Sequence, residues 1–374
     1  MKIENVALGF NEQVTLSLRS LYRAYGYKQY TMSKFEEYDL YARNKDFLIS
    51  DQVITFTDTN GKLMALKPDV TLSIVKNGKD APSGVQKVYY TENVYRVSKD
   101  AGFKELMQVG LECFGDIDAY HLAEVLMLAA ESLRSIDGDC VLDVSHLGVL
   151  SAVMDAIGLS REVQREAVRC IGEKNLHEMT AVCRAASVTQ EQIDLLGKLI
   201  TVSGKPTAAL QELNALLDGV IDAAPLAQLA RVIDALNAAG YGDMIRIDFS
   251  VVDNMRYYNG IVFKGFINGV PFGVLSGGQY DKLMQKMHRK SGAIGFAVYL
   301  DQLDRLHDDK PAYDVDTVLL YDAAIDAATI CKAVQMLTAQ GVSVMASTEM
   351  PIDVRYKQLA KLTEKGVTVL ENDA

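Results

Sequence analysis

The sequence lacks any apolar run approaching 18 residues, which excludes a membrane-spanning helix. It lacks a basic surplus: 38 Lys and Arg stand against 49 Asp and Glu, a formal charge of −11 at pH 7. Such a surface repels a phosphate backbone, so nucleic acid is not expected as a partner. Paired cysteines are missing too. Cys113, Cys140, Cys170, Cys183 and Cys331 are scattered and form no CxxC, which points to reduced buried thiols rather than disulfides or zinc. The P-loop pattern GxxxxGK[ST], the GxSxG elbow and the HExxH metal motif are all absent. The five histidines are dispersed, so no metal site is expected. There is no internal repeat. The first residues carry no basic region ahead of an apolar stretch, so a cytoplasmic chain is expected.

What is present is an ordinary globular composition. Over 374 residues, 49% are hydrophobic and 23% charged, enough for two or three domains. Residues 11–26 have the periodicity of an amphipathic helix that Gly26 can end. Residues 47–56 read as a strand, and the polar cluster 57–61 turns the chain into a second one over 62–66. A short helix is expected over 71–77, then strands over 85–97 and 105–115. Asp118 is placed to cap a helix over about 119–135. Residues 140–240 read as mostly helical, with Leu226, Leu229, Ile233 and Leu236 on one face and Gly240 after them. Strands return over 245–252, 257–267 and 270–275, with Asn268-Gly269 as a hairpin turn. A helix from about 280 and the segment 292–303 close this part. The expected class is α+β: an antiparallel sheet with flanking helices and a helical insertion at about 140–240, spanning 1–310. Beyond Pro311 a small α/β unit is expected over 314–374, with strands at 317–321, 342–346 and 367–370 and helices at 327–340 and 354–365. That unit carries nine acidic and five basic side chains, a poor balance for binding RNA.

Four segments carry the chemistry: Leu66-Lys67-Pro68-Asp69-Val70-Thr71; Tyr95-Arg96 with 105–115, ELMQVGLECFG; Met255-Arg256-Tyr257-Tyr258-Asn259-Gly260-Ile261-Val262-Phe263; and Gly277-Gly278-Gln279-Tyr280-Asp281 with Gly295-Phe296-Ala297. Their order and spacing over roughly residues 5–305 resemble the catalytic domain of histidyl-tRNA synthetase, a class II aminoacyl-tRNA synthetase fold. The YYNG-IVF and GGQYD segments mark the histidyl branch. That branch holds active synthetases and synthetase-like regulatory subunits of ATP phosphoribosyltransferase, the first enzyme of histidine biosynthesis.

The departures favour the second kind. In the synthetases a basic residue ahead of the LDYY segment binds the carboxylate and α-phosphate during activation. Alignment on Tyr257-Tyr258 puts Asp253 there. A unit-charge contact at about 4 Å contributes about 4 kcal/mol at an effective dielectric near 20, so reversing its sign should cost on the order of a thousand-fold in rate. Arg256 lies three residues on, which in a strand is the other face. In motif 3, Gln302 stands where GLERL supplies a phosphate-gripping arginine, and Arg305 lies close to one helical turn further on. In motif 2, Arg96 is kept but Val97-Ser98 replaces His-Glu. Motif 1 lacks its proline, since none occurs between Tyr27 and Tyr38.

The resemblance also implies what is retained. The histidine pocket of the family maps onto Asp69, Thr71, Gln108 and Glu112, with Tyr257, Tyr258 and Tyr280 along its wall. Carboxylates pair with an ammonium or imidazole, and tyrosines give a flat apolar wall with a polar tip. The family further implies a homodimer within a hetero-oligomer formed with the short catalytic subunit of ATP phosphoribosyltransferase, and histidine as effector. No catalytic residue of its own and no cofactor are expected; the competing expectation is a ligase forming an aminoacyl adenylate. The C-terminal unit resembles a truncated, acidic anticodon-binding domain.

Overall fold

The computed structural model describes residues 8–48, 52–78, 84–98, 102–252, 257–306 and 313–372. The chain divides into two compact units, 1–307 and 308–374.

In the first unit a nine-stranded sheet runs in the order Lys28–Gln29, Val85–Ser98, Gly102–Gly115, Gly292–Tyr299, Leu275–Gln279, Ile261–Ile267, Cys140–His146, Ile245–Asp248, Ser203–Gly204. It is antiparallel except where Lys28–Gln29 joins Val85–Ser98 and where Cys140–His146 joins Ile245–Asp248. Its longest pairing is the hairpin Val85–Ser98/Gly102–Gly115, near one edge, in register from Val85↔Gly115 to Ser98↔Gly102.

Side chains alternate between the two faces of a strand. Tyr89, Val109, Leu111, Cys113, Phe263, Ile294 and Phe296 all enter one core. The helices Phe10–Ala24 and Ala119–Ile136 share it. Tyr22 of the first is joined to Ser132 of the second through their hydroxyls at 3.0 Å. Asp118 caps the second helix by accepting the His121 amide at 3.0 Å, as its position in the sequence predicts. The opposite face holds Tyr90, Gln108, Gly110, Glu112, Ala297 and Ser276, and there the sheet opens into a cavity. The small helix Thr71–Asn77 packs on that side in a second core with Tyr90, Phe114, Tyr257 and Tyr280.

Several expected boundaries are corrected. Residues 45–47 form a short 3-10 helix, and among the described residues of the expected 47–56 strand only Thr55 and Phe56 lie in a strand, Thr55–Thr57. The reason is packing: Phe47 turns in to meet the Tyr257 ring at 6.2 Å instead of joining a ladder. The 140–240 stretch opens with Cys140–His146, an inner strand of the sheet, before six helices from Leu147–Ile157 to Ala224–Ala238. Asn268-Gly269 does turn, with Gly269 at φ 83°, but the return strand is Leu275–Gln279 rather than 270–275. Pro271 lacks the ladder amide a strand there would need. The extended run 257–267 is ladder only from Ile261, because the residues before it wall the cavity.

The second unit is a four-stranded sheet in the order Val344–Ser347, Val315–Leu320, Tyr356–Thr363, Gly366–Asn372. The helix Ala327–Ala339 contributes Ala333 to a small core with Leu319, Ala360 and Leu362. Here the expected helix over 354–365 is wrong. Tyr356–Thr363 is a strand, parallel to Val315–Leu320 and antiparallel to Gly366–Asn372. Ala360 and Leu362 face the core at period two while Lys361 between them is exposed. Gly366, at φ 108°, supplies the turn into the last strand.

Candidate functional site

The sheet's open face and the segments over it enclose a cavity of about 710 Å³. Asp69, Thr71, Gln108, Glu112, Tyr257, Tyr258 and Tyr280, drawn from four separate segments, all line it, as do Arg96 and Gln302. Asp253 and Arg256 lie outside the described residues.

The segment carrying Asp69 and Thr71 is held from below. Lys67 is fully buried and its ammonium pairs with Glu92 at 2.8 Å, while its backbone joins Lys34 and Tyr95. Asp69 then accepts the Leu72 amide at 2.8 Å at the start of the helix Thr71–Asn77. Burial in the cavity wall pushes the Asp69 carboxyl up, and the Leu72 amide and the Arg96 charge offset part of this.

Glu112 is the centre of the acidic end. Its two oxygens accept from the Thr71 hydroxyl and the Tyr280 hydroxyl, each at 2.7 Å. Burial pushes this carboxyl up to about 8, with the two hydroxyls pulling down and Asp69 pushing up. Space for it comes from the neighbouring strand. Gly295 is directly opposite Glu112, and a Cβ there would overlap the carboxylate. Gly110 likewise leaves room for the ring of Tyr90. Tyr257 packs against Tyr258 at 4.6 Å and Tyr280 at 5.8 Å between ring centres, making a continuous aromatic wall.

The GGQYD segment works as a bracket as well as a wall. The Gln279 side chain accepts the Ile261 amide at 2.8 Å, and Asp281 accepts from Ala293 at 2.8 Å and Asn259 at 3.2 Å. Tyr280, between these two anchors, is aimed into the cavity. At the other end, Gln302 donates its side-chain amide to Asp301 at 2.8 Å, so that amide is engaged by its own neighbour.

Sequence reasoning missed Tyr90, Lys264, Ser276 and Tyr299, which also line the cavity. Their signal is period two: Tyr90 alternates with the core residue Tyr89, and Lys264 with the core residue Phe263. Among the described residues one His/Cys/Asp/Glu group has metal-like spacing, Glu166, Cys170 and Glu178. Arg169 already pairs with both glutamates. No helix among the described residues is long and apolar enough to cross a membrane.

A large antiparallel sheet with helices on one face and an acidic, tyrosine-walled cavity on the other is the architecture of a class II aminoacyl-tRNA synthetase catalytic domain. A family model described as histidyl-tRNA synthetase matches residues 7–303. The chain therefore belongs to the histidyl-tRNA synthetase family. A curated relative from Oceanobacillus iheyensis, named ATP phosphoribosyltransferase regulatory subunit, is 25% identical over 293 residues, 78% of this chain and 72% of its own. A solved structure from Bacillus halodurans, titled as an ATP phosphoribosyltransferase regulatory subunit/histidyl-tRNA synthetase, has TM-score 0.75 at 23% identity and covers 92% of this chain and 90% of that one. A chain of the ATP phosphoribosyl transferase (HisG:HisZ) complex from Thermotoga maritima has TM-score 0.62 at 18% identity, covering 78% and 97%.

Proposed function

We propose that this chain is a regulatory subunit of ATP phosphoribosyltransferase, assembling with and activating a short catalytic subunit and carrying histidine feedback. It has no ligase activity of its own and acts in the cytoplasm as a homodimer within that hetero-oligomer. The observation that carries this reading is the asymmetry of one cavity. The end that would hold an imidazole and an ammonium is complete, with Asp69, Thr71, Gln108, Glu112 and the three tyrosines converging on it. At the other end the position of a phosphate-gripping arginine is filled by Gln302, whose amide is engaged by Asp301. A neutral amide lacks both the permanent charge and the fork that hold a nucleotide phosphate. Relatives named as regulatory subunits support the same reading. Histidine in this cavity would bias its walls, and a coupling of about 1–3 kcal/mol suffices for feedback.

Arg96, which lines the cavity, favours the second reading, a ligase that forms an aminoacyl adenylate. Histidine-dependent ATP–pyrophosphate exchange by the purified chain separates the two. The regulatory reading expects none; robust exchange would install the ligase.

A further inference from the structure

The floor of the cavity is a trough. The register across the sheet sets Glu112, Gly295, Gly278 and Val262 in one row and Gly110, Ala297, Ser276 and Lys264 in the next, on the same face. Between Glu112 and Lys264 the floor is therefore glycine, alanine and serine. The two residues are three strands apart, about 14 Å, and one same-face step of about 7 Å along the strands. Both side chains line the same cavity across these small residues, a carboxyl at one end and an ammonium at the other.

Lys264 is half-buried, and its ammonium makes no ion pair or hydrogen bond among the described residues. Its stem packs beside Gly273, where a Cβ would meet the Lys264 Cε at 2.5 Å, and its charge stands 6.0 Å from the centre of the Phe266 ring. Among the described residues, the carboxylates around it already have partners. Asp301 in the same cavity holds the Gln302 amide. Lys264 also borders an adjoining cavity, where Asp143 is engaged by Arg246 at 2.8 and 2.9 Å and Asp248 by Lys174 at 2.8 Å. Arg96, the other cation among the described residues that line the cavity, lies in the field of Asp69. A half-buried cation that no carboxylate among the described residues satisfies is poised for an anion brought by the ligand.

We propose that Lys264 receives the carboxylate of an amino-acid ligand whose cationic end lies at Glu112, so that the trough selects a zwitterion over the corresponding amine. The proposal rests on the reading that this cavity takes histidine and adds the residue that reads the other end. Charge-assisted contacts of this kind are among the stronger hydrogen bonds, and a partly exposed one is worth about tenfold in affinity.

Calorimetric titration of the full-length chain with L-histidine and with histamine, which keeps the imidazole and amine but has no carboxylate, tests it. The wild type should bind histidine at least about tenfold more tightly than histamine. Lys264→Met should lower histidine affinity to that of histamine and leave histamine binding as it was, and Lys264→Arg should recover most of the difference. The proposal is overturned if Lys264→Met keeps the preference for histidine. It is equally overturned if both ligands weaken together, since the stem would then merely support the wall. Equal binding of the two ligands by the wild type removes Lys264 from recognition but leaves the imidazole pocket standing. Binding of neither ligand by the folded wild type removes the histidine reading itself.

Discussion

Replacing Glu112 by Gln perturbs the cavity at its most buried carboxyl, with a sign that the structure determines. The folded protein holds this group near 8, against an ordinary value of 4.5 in an open chain. A carboxyl raised in the folded state makes the native form bind more protons than the unfolded one, so stability falls as pH rises through that interval. At 1.36 kcal/mol per pH unit the whole interval corresponds to about 5 kcal/mol, an upper bound because water entering the open cavity solvates the ionised form. About 2–4 kcal/mol is the expected effect. The glutamine side chain has nearly the same shape and could still hydrogen bond to Thr71 and Tyr280, but it cannot ionise. Urea unfolding of the two proteins should therefore nearly coincide at about pH 4.5 and diverge progressively up to about pH 8, with Glu112→Gln more stable by about 2–4 kcal/mol at pH 8.5. The same substitution should abolish most histidine inhibition of the assembled enzyme while assembly persists. Stability differences that stay constant from pH 5 to pH 8.5 would refute the assignment of a buried, neutral carboxyl.

Other substitutions follow from the same contacts. Gly295→Ala puts a Cβ on the Glu112 carboxylate and should destabilise by about 1–3 kcal/mol in urea unfolding, with histidine binding lost as well. Glu92→Gln leaves the Lys67 ammonium, fully buried, without its counter-charge, and about 3–5 kcal/mol of stability should go with it; Lys67→Met/Glu92→Leu should recover part of that loss. Asp118→Ala removes the cap of the helix Ala119–Ile136 and should cost about 1 kcal/mol, read from the denaturation midpoint with histidine affinity intact.

The residues Asp69, Thr71, Gln108, Glu112, Tyr257, Tyr258 and Tyr280 were legible as lining one pocket through the resemblance to the histidyl branch, whose motifs are short and keep their spacing. Asp69 precedes a helix that Thr71 opens, Gln108 and Glu112 are four apart on one strand face, and Tyr280 is held between Gln279 and Asp281. Lys264 was not legible as a cavity residue. A lysine alternating with core residues in a strand reads as solvent-facing, and only the roof formed by distant segments turns that face into a wall. The strand Cys140–His146 was hidden because the long helical run after it dominated the reading of 140–240, although its residues from Leu142 to His146 are all buried, as an inner strand requires. In the second unit, Leu359, Leu362 and the lysines around them fit a helical spacing as well as a strand. Pairing with Val315–Leu320 decided the outcome, a tertiary effect that propensity does not carry.

The most direct measurement of the central claim is ATP phosphoribosyl transfer by a short catalytic subunit, assayed with and without this chain and then with histidine. The mixture should form a hetero-oligomer, activity should rise sharply on adding the chain, and histidine should suppress it in the wild type but not in Glu112→Gln. A catalytic subunit equally active alone, forming no complex with this chain, would contradict the claim.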